Sequence, residues 1–217
     1  GDEISSVEFE SPVSAVHAAQ GKLAVCTTNY ESNTSTVHLF SVSDIDGTLS
    51  EIGTATVTGR VTDKFKIHFG DDYCFVVSHS NTSEAMSYFN SIALTGDAGT
   101  VATLELAKGE QQFASRFSDD VCFLVTFEQI DPLWAIDFSD PLNPVIASEL
   151  IMPGWSIYLE TDGDRMISVG YSSEFNSNLV AKLFDISNPA NVLLLDEVDL
   201  TDQWGWTAIA HDDKAFG

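Results

Sequence analysis

Two acidic segments and three tryptophans are the parts of this sequence best suited to hold a ligand. "EQIDPL" (128–133) carries Glu128 and Asp131, and "YSSEFNSN" (171–178) carries Glu174. Carboxylate oxygens suit a hard cation such as Ca2+, and Asp131 and Glu174 are the candidate metal ligands. Neither segment matches the D-x-D-x-D-G-x5-E ligand loop, so no cofactor is predicted and Ca2+ is the ion these oxygens would suit. Trp155 follows Pro153-Gly154, while Trp204 and Trp206 flank Gly205. An indole at a loop end can stack on a sugar or peptide ring; packed inward, it fills a corner. The five histidines, His17, His38, His68, His79 and His211, show no metal-ligand spacing. The strings G-x-S-x-G, G-x-x-x-x-G-K-[ST] and H-E-x-x-H are absent, so no catalytic residue is assigned.

The elements that position these residues follow from composition and periodicity. The 217 residues are 44% hydrophobic, enough for a real core, and contain 33 acidic against 9 basic residues, for a net charge of -24. A field of that sign repels nucleic-acid backbones and anionic lipid, so neither is an expected partner. No apolar run approaches the ~18 residues of a membrane-spanning helix, so no membrane insertion is expected.

The chain repeats. "AIDFSDPLNPVIASEL" (135–150) aligns with "LFDISNPANVLLLDEV" (183–198), pairing Asp137, Ser139, Asp140, Pro141, Asn143 and Glu149 with residues 48 positions later. Tight turns mark the same unit along the whole chain. From Gly21 through Asp72, Asp120, Asp164 and Asp213 the steps are 51, 48, 44 and 49 residues. A period of about 40–50 residues belongs to propellers or helical arrays. The segments are short and rich in Val, Ile, Phe, Thr and Tyr, as in "YCFVVS" and "VCFLVTF", which are strands apolar on both faces. A sheet covered on both sides by its neighbours meets that pattern, and the predicted fold is an all-β propeller of four-stranded blades.

Four complete blades are expected at about 12–59, 60–109, 110–154 and 155–202. Residues 4–11 and 204–217 read as partial blade strands of a single domain, 1–217. Either the chain is part of a larger propeller or the terminal strands share a split blade and close a ring. Open sheet edges at the ends would favour homo-oligomers. In the repeated Ser-Asp-Pro-Leu-Asn-Pro turn, proline ends strand pairing while Asp, Asn and Ser close the hairpin between the third and fourth strands. Cys26, Cys74 and Cys122 all lie in second strands. Packed sheets stand about 10 Å apart, beyond the ~7 Å that a disulfide allows between Cα atoms, so all three are expected to stay reduced.

The segments "RFSDDVCFLVTFEQIDPLWAIDFSDPLNP", "ELIMPGWSIYLETDGDRMISVG", "KLFDISNP" and "HDDKAF" resemble secreted bacterial and archaeal proteins with a C-terminal β-propeller domain, distantly related to WD repeats. The resemblance covers about half the chain and implies a propeller and an extracellular or cell-envelope location. It implies no catalytic residues. One departure is Val192, where the repeat has Pro144 in the preceding blade. The expected function is a non-catalytic extracellular binding or scaffold module for a protein or carbohydrate ligand. The alternative is a cation-assisted hydrolase or other enzyme with its site at the mouth of the central channel. In either case the ligand would meet Glu128, Asp131, Trp155, Trp204 and Trp206, where the loops between second and third strands approach the blade-to-blade connections.

Overall fold

The computed structural model describes residues 5–82, 84–96, 98–127, 131–172 and 178–204; the side chains of Asp131 and of residues 202–204 are outside that description. Sixteen strands among these residues form four antiparallel sheets in which sequence neighbours pair in order. The first sheet is β1 (Val13–Ala19), β2 (Lys22–Asn29), β3 (Thr34–Val42) and β4 (Leu49–Thr58). The second is β5 (Ile67–Phe69), β6 (Tyr73–Ser80), β7 (Met86–Ala93) and β8 (Gly99–Leu106). The third is β9 (Gln111–Ser118), β10 (Val121–Phe127), β11 (Asp131–Asp137) and β12 (Val145–Met152). The fourth is β13 (Trp155–Asp162), β14 (Arg165–Tyr171), β15 (Asn178–Asp185) and β16 (Leu193–Trp204). These are the blades of a β-propeller, as the repeat predicts.

Burial explains why these segments are strands. The second strand of each of the first three blades is covered on both faces: every residue from Ala24 to Thr28 in β2, Cys74 to Ser80 in β6 and Cys122 to Thr126 in β10 is buried. A fourth strand such as β8 alternates instead, because it has one wet side, whereas residues 193–200 of β16 are all exposed. The turn markers found in the sequence recur as one hydrogen bond. At or just past the end of each third strand, Val42, Leu94, Phe138 and Ile186 donate their N–H groups to the carbonyls of Gly21, Asp72, Asp120 and Asp164, at 2.8, 2.9, 2.9 and 3.0 Å.

The hairpin turns between third and fourth strands are closed as the composition requires. Asp137 Oδ1 accepts from the Ser139 N–H at 2.9 Å, and Asp185 Oδ1 accepts from the Ser187 N–H at 3.0 Å. Asn188 then caps a short 3-10 turn, Pro189–Asn191, by accepting from the Ala190 N–H at 3.1 Å.

The chain divides into two compact units, Gly1–Gly109 with Pro141–Pro144, and Glu110–Asp140 with Val145–Gly217. The first has a core of Val37, Leu39, Phe69, Val76, Ile92 and their neighbours. The second is built on Phe123, Val125, Leu133, Leu159, Met166 and Phe184. Cys26, Cys74 and Cys122 are buried and form no disulfide. Burial pushes Cys26 up to about 12 and raises Cys74 well above the usual thiol range, so neither forms a thiolate at neutral pH.

Two expectations about the ends meet the structure differently. Residues 5–12 lie outside any strand, because no third strand among the described residues is left unpaired for them. At the other end β16 continues through Trp204, whose backbone pairs with Asn178, so Trp204 ends the fourth blade instead of opening another. Residues 205–217, including the rest of the expected partial blade, lie outside the described residues.

Candidate functional site

Strand direction decides which loops meet. In an antiparallel blade the second strand ends where the first begins, and the third begins where the fourth ends. In the fourth blade the pairs Trp155–Tyr171 and Asn178–Trp204 mark that shared end. In the third, Phe127–Gln111 and Asp131–Met152 mark it. Trp155, Asp131 and Trp204 therefore stand at corresponding ends of their sheets, Trp204 as the last residue of β16 and not in a blade-to-blade connection. Glu128, Glu174 and Trp206 lie outside the described residues, as do the side chains of Asp131 and Trp204.

Trp155 is the predicted residue whose surroundings are visible. Its ring lies 5.0 Å from Tyr171 and 5.8 Å from Phe127, centroid to centroid, and Phe113 meets Phe127 edge-on at 6.1 Å. Trp155, Tyr171 and Phe127 are half-buried, and Phe113 is exposed at 38%. These aromatics form a ledge on the second unit, partly packed and partly wet. Trp155 fills a corner between two blades and keeps part of its surface exposed.

The backbone beneath the ledge is unusually close. Gly154 has φ +86°, and a Cβ there would sit 2.0 Å from the Tyr171 carbonyl oxygen. A Cβ on Gly170 would sit 2.0 Å from the Trp155 carbonyl oxygen. Only glycine permits both approaches, and together they set Trp155 against Tyr171. Lys182 fixes the entry from the other side. Its side chain is 3% exposed, and Nζ donates to the Pro153 carbonyl at 2.5 Å and lies 3.5 Å from Glu197.

The sequence reading missed Phe127, Tyr171 and Phe113. A signal was present: Phe127 and Tyr171 both end second strands, 44 residues apart, the same step that separates Asp120 from Asp164. A second polar group sits on the first strands of these blades. The Arg116 guanidinium pairs with one Glu160 oxygen, and the Tyr158 hydroxyl donates to the other at 2.6 Å. A carboxylate with both oxygens engaged braces β9 against β13 and is poorly placed to act as a base. Among the described residues, no group of three or more His, Cys, Asp or Glu is arranged to hold a metal ion.

Comparison with known proteins agrees with this architecture. An uncharacterised protein of Methanocaldococcus jannaschii is 35% identical over 128 residues, covering 58% of this chain and 20% of its own length. An uncharacterised protein of Archaeoglobus fulgidus is 31% identical over 154 residues, 70% of this chain and 24% of its own length. The chain thus spans a quarter or less of these relatives. Among solved structures, the periplasmic gluconolactonase PpgL of Pseudomonas aeruginosa superposes with a TM-score of 0.65 at 16% identity, over 90% of this chain and 60% of its own. The computationally designed protein Ika4 gives 0.58 at 14% identity, over 86% of this chain and 99% of its own. At such identities the likeness is one of fold. The beta propeller domain family matches residues 4–217, and with its sheets and turn bonds repeating blade by blade, this chain belongs to that family.

Proposed function

We propose that this propeller domain is a non-catalytic extracellular binding module that stacks a ring of a carbohydrate or protein ligand on the ledge of Phe127, Trp155 and Tyr171. The observation that carries the reading is the half-buried Trp155, held by glycine contacts on one side and two aromatic neighbours on the other. A fixed aromatic surface binds rings without losing side-chain freedom on binding, and the sequence adjoining Phe127 and Tyr171 carries Glu128, Asp131 and Glu174, whose carboxylates can accept from hydroxyl groups. The extracellular setting rests on the family resemblance.

Titration with a panel of soluble neutral oligosaccharides and tyrosine-containing peptides, followed by tryptophan fluorescence, tests this. At least one probe should change the emission saturably. Trp155→Ala and Tyr171→Ala should each weaken that probe about ten-fold, roughly 1.4 kcal/mol. A saturable probe indifferent to both substitutions would place binding elsewhere.

The alternative reading is a cation-assisted hydrolase using Asp131 and Glu174. It draws support from the gluconolactonase among the structural neighbours. Purified protein that carries stoichiometric Ca2+ and opens a sugar lactone, with activity lost to chelator, would establish it in place of the binding module.

A further inference from the structure

The third and fourth blades show how one sheet covers the next. Phe123, Leu133 and Ala135 of the third blade are buried in one core with Leu159, Met166 and Phe184 of the fourth. The first unit uses the same register. Ala24 follows Gly21 as Phe123 follows Asp120, and it is buried in one core with Cys74 and Val76 of the second blade. In both units, then, the front of a blade meets the back of the blade that follows it in sequence.

Two further faces of this kind are open. The fourth blade repeats the front of the third. Ile167 stands 44 residues after Phe123, and Ala181 and Leu183 stand 48 residues after Leu133 and Ala135. The strand pairing is the same, Phe123 with Ala135 and Ile167 with Leu183. Yet Ile167 is 38% exposed, and Val198, paired with Ala181, is 56% exposed. Together with Ala181 and Leu183 they line a groove of about 210 Å3. The first blade repeats the back of the fourth. Val16 pairs with Val25 as Leu159 pairs with Ser168, and Leu23 follows Gly21 as Met166 follows Asp164. Leu159 and Met166 are buried, whereas Val16 is 50% exposed and Leu23 is half-buried. The Phe9 ring lies 4.7 Å from His38 and covers the part of this face over β3.

We propose that the open front of the fourth blade in one copy docks on the open back of the first blade in a second copy, so that the chain associates head to tail. The argument is continuity with the interfaces inside each unit. The front that the third blade seats on the fourth recurs at the same register, and the kind of surface it fits recurs on the same chain, so a second copy supplies what the face needs. Aliphatic side chains gathered on one sheet face gain by leaving water together. The net charge of -24 on each copy opposes the approach, so salt strengthens the association. A contact between two different surfaces is heterologous: it adds copies until a ring closes.

Sedimentation velocity in high and low NaCl tests the proposal. In about 0.5 M NaCl the chain should sediment faster as its concentration rises, with a Kd below about 50 μM, and about 10 mM NaCl should weaken the association at least about five-fold. Val198→Glu and Val16→Glu charge the front and the back at exposed positions. Each variant alone should be monomeric, with the circular dichroism of the parent preserved. Mixed in equal amounts they should form a dimer and nothing larger, because the intact front of one meets the intact back of the other. A parent chain still monomeric at about 100 μM would overturn the proposal and give these faces to a blade outside this chain. Association that survives Val16→Glu would overturn it in favour of the fourth blade pairing with itself. Variants that stay apart when mixed would overturn head-to-tail docking.

Discussion

At the scale of single residues, the contact between Trp155 and Tyr171 depends on atoms that are missing. Gly170 shows no unusual φ; it is glycine because the Trp155 carbonyl oxygen occupies the place of its Cβ. A methyl group there must push backbone against backbone, with no flexible side chain to yield. Gly170→Ala should therefore lower stability by about 2 kcal/mol or more, read from the urea midpoint, and quench the Trp155–Tyr171 contact seen by near-UV circular dichroism. Gly163→Ala is the comparison. It lies in the β13–β14 turn with φ +52° and nothing within 4 Å of the added carbon, so only backbone strain of about 1 kcal/mol opposes it. Equal losses at the two positions would show that close packing under the ledge contributes nothing beyond strain.

At the scale of elements, the repeat is carried by turns, and its acid sensitivity follows from them. Hydrogen bonds from Ser187 hold the Asp185 carboxyl below its ordinary 3.8, with a smaller contribution from Arg165. A carboxyl depressed in the fold stabilises it above the unfolded pKa and loses that contribution as pH falls through the folded value. Asp185→Ala should lower Tm at pH 7, and the gap from the parent should close as pH drops below 3.8. A gap unchanged at pH 2.5 would mean that the side chain acts through shape alone. Such turns were legible because Asp, Ser, Asn and Pro have few other uses at those positions. The register shifts at the third-to-fourth strand pairs, among them one in each blade near Leu39, Ser91, Ala135 and Leu183, were not legible. A bulge answers the twist of the sheet edge and needs no signature residue. The ledge was half legible. Trp155 stands out beside Pro153-Gly154, whereas Phe127 and Tyr171 end apolar strands and look like core until the fold turns them outward.

At the scale of the molecule, net charge acts on stability in a way that no single contact explains. Among the described residues Lys66, Lys108, Arg116, Arg165 and Lys182 each pair with a carboxylate. Even if all nine basic residues were paired, 33 − 9 = 24 acidic residues would remain uncompensated. Folding brings these together, and their mutual repulsion opposes the compact state. Exposed pairs such as Lys108–Glu84, at 3.1 Å, lose little on screening because they contribute little in water. The balance therefore favours salt. Raising NaCl from 10 mM to 0.5 M shortens the screening length from about 30 Å to about 4 Å, and Tm at pH 7 should rise by at least about 3 °C, the equivalent of ~1 kcal/mol for a chain of this size. The rise should be steepest below 0.15 M, where screening changes most, and it should vanish near pH 4, where protonation removes the excess charge. A Tm that falls with NaCl at pH 7 would mean that specific ion pairs outweigh the repulsion.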